Sequence, residues 1–320
     1  MRNNFIKLAQ LASIAHMYYI KGYNQQKISE ETGINRTAIS RLLAEAKEKN
    51  IVNITVNYPP RLPQFEKDFL KEFPSLKEVH ITACTDDSYT TMLTTLGNYS
   101  AQFFAKNVKP GMIIGLGWGK AIYEMIKNIP KQELDIELIQ IIGATGHEEF
   151  LKDGPLLSRL LSTKLNCPCR YLHVPLIVEN PVLSQALKNE SVISNTLNYA
   201  KKSDYIFAGL GSTKKDLYTL REAGYIRDSE LSEIKETGAV GDYLGFHYDI
   251  EGRILDIGIN KRIIGIDPED SRSVKNRVVI AGDKRKAESI LGGINGELFN
   301  ILITDSFTAE RILTLQNGEK

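Results

Sequence analysis

From residue 77 onward the chain alternates strongly apolar, β-branched runs with amphipathic stretches, and that alternation leaves few architectures open. The runs are "EVHITAC", "GMIIGLG", "IELIQIIG", "RYLHVP", "SDYIFAGLG", "NRVVIAG" and "FNILITD", and most lead through a turn into a helical stretch such as "LGNYSAQFFAKNV", "KAIYEMIKN", "KRKAESILGGI" or "FTAERILTL". Runs this apolar are covered on both faces, and repeated βα units lay their strands side by side in parallel. The pattern predicts an α/β fold over residues 77–320, a Rossmann-like, mostly parallel sheet with helices on both sides. In such sheets ligands bind outside the carboxyl ends of the strands, so the turns after strands are the places to inspect. Four are unusual: "GLGWGK" at 115–120, "GATGHEE" at 143–149, "GLGST" at 209–213 and "AGDKRK" at 281–286.

The first of these is a strand that breaks into Gly115, Gly117 and Gly119 and restarts as a helix carrying Lys120. Bare backbone N–H groups and a helix N-terminus favour an anion at such a place. A nucleotide-hydrolysing P-loop needs four residues between its first Gly and its Gly-Lys, then Ser or Thr; here three intervene and Ala121 follows. The dinucleotide spacing also fails, since one residue, Trp118, separates the second and third glycines. A generic phosphate nest remains, or a tight turn with no ligand. Lys120, Thr145 and Lys286 on neighbouring turns favour the nest, because a cation or hydroxyl converging on it suits a phosphate or sugar. Asp242, in "GAVGDYLGFHYDIEGR", could accept hydrogen bonds from sugar hydroxyls or could cap a turn; Asp249–Gly252 reads as the turn of a hairpin there. His147, Glu148 and Glu149 could be acid–base groups, although adjacent charges on a loop are more often simply solvated.

The first sixty residues have a different character. "LAQLASIAHMYYIKGY" places Leu8, Leu11, Ile14, Ala15 and Tyr18 on one helical face. Asn24 then stands as an N-cap before "QQKISEET", Gly33 suits a left-handed turn, and Asn35 caps "RTAISRLLAEAKEKN". The result is helix, tight turn, helix, locked by Ile28, Ile34, Ile39, Leu42 and Leu43. Arg36, Thr37, Ser40 and Arg41 project from the second helix, and Gln25 and Gln26 open the first; these are base-reading and phosphate-reading side chains. "IVNITVN" alternates strictly and reads as a strand, a wing beside the helices. Pro59, Pro60 and Pro63 make a stiff linker. The domain reading is therefore 1–58 for helix–turn–helix DNA binding, 59–76 for a linker and helix, and 77–320 for the effector domain. The stripe of Phe65, Phe69, Leu70 and Phe73 packs on the next domain or pairs with a second chain.

Charge supports the division. Residues 1–58 hold eight Lys and Arg against four Asp and Glu, a net of +4, which leaves −3 of the chain's +1 for residues 59–320. The positive end is where a polyanion would be met. No apolar run is long enough for a membrane span and the N-terminus lacks a signal pattern, so a cytoplasmic protein with no membrane partner is expected. Three cysteines, Cys84, Cys167 and Cys169, fit a reducing compartment. The "CPC" pair has no partner pair at ligand spacing, and neither a metal nor a cofactor is expected.

These motifs resemble the SorC-type bacterial transcriptional regulators, also called the sugar-binding domain family, over nearly the whole chain. The likeness runs through "NQQKISEETGINRTAISRLLAEAKEKNIVNITV", "GLGWG", "GAVGDYLGFHYDIEGR" and "VVIAGDKRKAESILGGINGELFNILITDSFTA". It implies an effector domain similar in fold to phosphosugar isomerases and deaminases, sensing a sugar or phosphorylated sugar. The matching ligand-side residues are Gly115, Gly117, Trp118, Gly119, Gly143, Asp242 and Lys286, while Ile142 and Ala144 depart from the family's usual Asn and Gly. The expectation is a regulator of a carbohydrate operon with no catalytic residue, acting on double-stranded operator DNA as a homodimer or homotetramer. The alternative is a phosphosugar isomerase or deaminase with an accessory N-terminal domain, using Asp242 or Glu148 with Lys286.

Overall fold

In a computed structural model, which describes residues 2–49, 51–52, 62–84, 88–146 and 153–318, the chain divides into two compact units, Met1–Asn57 and Tyr58–Lys320. Three helices build the first: α1 (Arg2–Ala15), which ends in a π-helical turn over His16–Ile20, α2 (Gln25–Thr32) and α3 (Arg36–Glu48). Each boundary between α2 and α3 has a local cause. Asn24 Oδ1 accepts from Lys27 N at 2.8 Å and Asn35 Oδ1 from Thr37 N at 2.8 Å, capping both helix starts. Gly33, at φ +69, takes the left-handed turn that a side chain would strain. Leu11, Ile14, Ile28, Ile39, Leu43 and Ala46 are buried together, with Ile34 and Leu42 half-buried against them. Of the expected wing only Ile51 and Val52 are described, and both pack on this core. Residues 53–57, and most of the proline linker, lie outside the described residues.

The second unit starts with α4 (Pro63–Glu72), whose Phe69 and neighbouring Phe73 are buried in the large core, so its aromatic stripe packs within this unit. In chain order there follow β1 (Glu78–Thr82), α5 (Tyr89–Asn107), β2 (Ile113–Leu116), α6 (Lys120–Asn128), β3 (Glu137–Gln140), α7 (Gly154–Leu165), β4 (Cys169–Arg170), α8 (Pro181–Asn189), α9 (Ser191–Ala200) and β5 (Tyr205–Ala208). Then come β6 (Gly211–Ser212), α10 (Thr219–Glu222), α11 (Asp228–Glu236), β7 (Gly241–Tyr243), β8 (Phe246–Tyr248), α12 (Pro268–Ser271), β9 (Asn276–Ile280), α13 (Ala287–Asn295), β10 (Ile301–Asp305) and α14 (Ser306–Gln316). Seven strands form one all-parallel sheet in the order β1-β10-β9-β5-β2-β3-β4. Every residue of β9 and β10 is buried, as strands covered on both faces require. From β2 the chain winds outward through β3 and β4, then crosses back to β5 and winds the other way through β9 and β10. The reversal leaves a crevice above the carboxyl ends of β2 and β5. A small antiparallel sheet, β6-β7-β8, accompanies it.

One local expectation needs correction. "RYLHVP" is not a full strand: pairing stops after Arg170, because the side chain of Gln140 takes over, its Oε1 accepting from Leu172 N at 3.3 Å and its Nε2 donating to Ile142 O at 2.8 Å. The segment beyond continues through isolated bridges, Ala144 to Pro175 and Ile177 to Ile263. The tight hairpin of "GAVGDYLGFHYDIEGR" turns at Leu244 and Gly245, both at positive φ (+55 and +88), which is the geometry that matches the twist of paired strands. The turn at Asp249–Gly252 is also present, closed by Gly252 N donating to Asp249 O at 2.9 Å.

Candidate functional site

The crevice between β2 and β5 is lined by the turns that leave those strands. Trp118, Gly119 and Lys120 come from the end of β2, Gly209, Leu210 and Gly211 from the end of β5, and Ala281, Gly282 and Lys286 from the end of β9. The first turn of α5 adds Tyr89 and Met92, Asp242 and Leu244 come from the hairpin, and Thr219 from α10. Together these residues enclose a cleft that opens to solvent at its mouth.

Three features give it chemistry. The N-terminus of α6 opens at Gly119 (φ +123) with no side-chain cap, so its first-turn N–H groups and positive dipole end are left for an anion, with Lys120 beside them. Lys286 Nζ donates to Leu210 O at 3.0 Å. Burial draws its pKa down, and Asp242 pulls the other way. Asp242 itself is buried, and loss of water pushes its carboxyl up to about 6 against the opposing pull of Lys286 and a hydrogen bond from Gly245 N–H. The carboxylate fits because position 211 has no side chain: a Cβ there would stand 1.8 Å from Asp242 Oδ2. An anionic group at α6 and hydroxyls at Asp242 together make a site suited to a polyhydroxylated, negatively charged molecule.

Behind the cleft, Asp242 faces His247 across the β7–β8 ladder. The His247 ring is fully buried between the Tyr218 hydroxyl and Asn260 Oδ1, which lies 3.1 Å from Nδ1. Burial holds its pKa down near 4, so it is neutral at ordinary pH.

The residues expected from sequence divide. Trp118, Gly119, Lys120, Asp242 and Lys286 meet at the cleft. Gly115 and Gly117 do not line it: a Cβ on Gly115 would stand 2.9 Å from Ile141 Cγ2, and one on Gly117 3.2 Å from Ala208 Cβ, so these glycines admit neighbouring strands. Gly143 and Thr145 do not line it either. Gly143 lies against Pro175, whose carbonyl oxygen would be 2.4 Å from a Cβ. Thr145 N donates to Asp153 Oδ1 at 2.8 Å and its carbonyl accepts from the Tyr225 hydroxyl. His147, Glu148 and Glu149 lie outside the described residues. Tyr89, Met92, Thr219 and Leu244 line the cleft without having been singled out from sequence, and the Gly209–Gly211 turn lines it as one of the four turns noted there, although none of its residues was assigned to the site. "GLGST" and "AGDKRK" do signal two of the cleft's turns, but α5 sits far away in sequence and carries no local mark.

In the first unit, Arg36, Thr37, Ser40 and Arg41 are all exposed and lie along one face of α3, continued by Ala44, Lys47 and Glu48. Neither Arg36 nor Arg41 joins an ion pair among the described residues, whereas Lys7 and Lys49 are both held by Glu45, at 2.6 and 2.8 Å. Gln25 is half-buried, and exposed Gln26 donates to Glu30 Oε1 at 3.1 Å. A polar helical stripe with two unspent guanidinium groups can lie along a nucleic-acid groove.

Comparison with known proteins bears on both sites. Residues 63–314 match the sugar-binding domain family. The chain is 30% identical to the deoxyribonucleoside regulator of Bacillus subtilis (strain 168) over 300 residues, 93% of this chain and 95% of that one. It is 26% identical to the sorbitol operon regulator of Klebsiella pneumoniae over 95% of this chain and 97% of the relative. The crystal structure of that full-length regulator, SorC, matches with a TM-score of 0.71 over 96% of this chain and 99% of that one, at 26% identity. The fold is shared also by a transcriptional regulator from Streptococcus pneumoniae TIGR4, TM-score 0.74 at 21% identity over 81% of this chain and 98% of the other. Family match, relatives along nearly the whole length and a shared fold place the chain in the SorC-type sugar-binding domain family of bacterial transcriptional regulators.

Proposed function

We propose that this chain is a DNA-binding transcriptional regulator of a carbohydrate uptake or catabolism operon, controlled by a sugar or phosphorylated sugar taken up in the cleft of the α/β unit. Residues 1–58 supply the DNA-binding module, 59–76 the connection and 77–320 the effector domain. The observation that carries the reading is the exposed stripe of α3, where Arg36, Thr37, Ser40 and Arg41 face outward with both arginines unspent. Relatives named as operon and deoxyribonucleoside regulators support it. Two half-sites a helical turn or a multiple apart require two such modules, so the working form is a homodimer or homotetramer in the cytoplasm. The effector acts by linkage, binding two arrangements of the oligomer unequally and so changing operator affinity.

The test is a gel shift on the DNA upstream of the chain's own operon at fixed salt. Arg41→Ala is expected to weaken binding at least tenfold while leaving calorimetric effector binding unchanged; equal DNA affinity of variant and wild type would refute the role of α3. One observation favours an enzyme instead: Asp242, with its pKa near 6, beside Lys286 in the cleft is the kind of pair that moves protons. Turnover of a sugar phosphate by the purified chain would decide for that reading.

A further inference from the structure

Beside the effector cleft lies a second compartment, lined by Ser88, Asp283, Lys284, Arg285, Asp305 and Phe307. It shares two lining residues with the cleft, Tyr89 and Met92, so these two side chains form the partition. They are held very differently. Met92 is buried, and a Cβ on Gly282 would lie 2.6 Å from its sulfur and 2.5 Å from Asp305 Oδ2, so this part of the partition is packed into the protein. Tyr89 is 36% exposed on the first residue of α5, its hydroxyl has no hydrogen-bond partner among the described residues, and Lys120 stands 5.9 Å from the ring centroid on the cleft side. On its other side the charge of Asp283 raises the phenol's pKa, in addition to the larger effect of burial. The ring thus stands between Lys120, at the anion end of the cleft, and the Asp283–Arg285 pair of the annex.

We infer that Tyr89 is a specificity-determining residue, a wall that confines the effector to one sugar unit and closes off a compartment able to take a second ring. The annex suits a neutral, partly apolar extension. Its lining carries two carboxylates, Asp283 and Asp305, and two cations, Lys284 and Arg285, hence no net charge; Arg285 Nε is bonded to both oxygens of Asp283 at 3.0 Å, Asp305 accepts from Thr308 N at 3.0 Å, and Tyr89, Met92 and Phe307 give apolar sides. A glycoside or disaccharide phosphate, with its anion at α6 and its second ring past position 89, is the class of ligand that would need the wall removed. The inference rests on the cleft being the effector site.

Isothermal calorimetry of the full chain with ribose 5-phosphate, glucose 6-phosphate and trehalose 6-phosphate separates the two. Wild type is expected to bind a monosaccharide phosphate and to reject the disaccharide phosphate. Tyr89→Ala should gain at least tenfold for trehalose 6-phosphate relative to the monosaccharide phosphates, and Tyr89→Phe should behave as wild type, since the ring and not the hydroxyl forms the wall. A wild type that takes the disaccharide phosphate as readily as a monosaccharide phosphate, or a Tyr89→Ala variant with unchanged ranking, would overturn the wall and leave the effector reading standing. Failure of all three proteins to bind any of the probes would count against the effector reading, and the wall would fall with it.

Discussion

Two buried groups that face each other across the β7–β8 ladder respond to acid in opposite senses. His247 keeps its neutral ring in the folded chain down to about pH 4, whereas the same imidazole in an unfolded chain takes up a proton near 6.5. The stability this gives is complete above 6.5 and is lost as pH falls toward 4, by about 1.4 kcal/mol per pH unit between the two pKa values, ~3 kcal/mol in all. Asp242 works the other way. Its folded carboxyl accepts a proton near 6 and its unfolded one near 3.8, so folding gains as pH falls through that interval and loses as pH rises through 6. The two contributions largely cancel in the wild type, and single substitutions expose them. Urea unfolding followed by circular dichroism at pH 7 and pH 4.5 is expected to show His247→Gln gaining about 2 kcal/mol on acidification relative to wild type. Asp242→Asn should lose a similar amount. Parallel pH slopes for the three proteins would contradict both assignments. Neither behaviour was legible in the sequence, where Asp242 reads equally as a sugar ligand or a turn cap, because burial and cross-strand pairing are set by residues far away in the chain.

At the scale of elements, the turn between β8 and the following segment shows how a glycine is demanded by packing as well as by backbone angle. Gly252 has φ +78, and a Cβ there would stand 2.1 Å from Gly296 N and 2.2 Å from its Cα, beyond the C-terminus of α13. Gly111, between α5 and β2, has a similar φ of +83 with nothing within 4 Å. Gly111→Ala should therefore cost only the left-handed penalty, about 1–2 kcal/mol. Gly252→Ala should add overpacking against backbone that cannot yield, for a total of about 2–5 kcal/mol. Thermal unfolding of the two variants side by side measures the difference, and equal losses would show that the turn does not bear on α13. Most elements could be read from sequence because their signals are local. The N-caps Asn24 and Asn35, the strands "NRVVIAG" and "FNILITD" and the helix "KAIYEMIKN" all follow from periodicity and capping. Those that could not be read have a distant or atypical cause. "RYLHVP" loses its ladder to Gln140, thirty residues earlier, and the β7–β8 hairpin turns on Leu244, a residue type that rarely adopts positive φ. The glycines of "GLGWGK" were legible as special, but the sequence could not tell those that admit a ligand from those that admit a strand; only Gly119 reaches the cleft.

For the whole molecule, the division into two units with net charges of opposite sign concentrates attraction for a polyanion in one and small-molecule chemistry in the other. If the effector changes operator affinity, thermodynamics requires that operator DNA change effector affinity by the same factor, commonly between about 5 and 150. Calorimetric titration of the effector with and without saturating operator should return the factor seen in gel shifts; a marked mismatch would mean that the observed change in DNA binding is not coupled to the cleft. One residue makes the cleft unusually easy to watch. The chain contains a single tryptophan, and Trp118 forms part of the cleft wall beside the uncapped start of α6. All indole emission from this protein therefore originates at the wall of this cleft, so intrinsic fluorescence offers a label-free test of the proposed effector site, with no indole in residues 1–58 to add background.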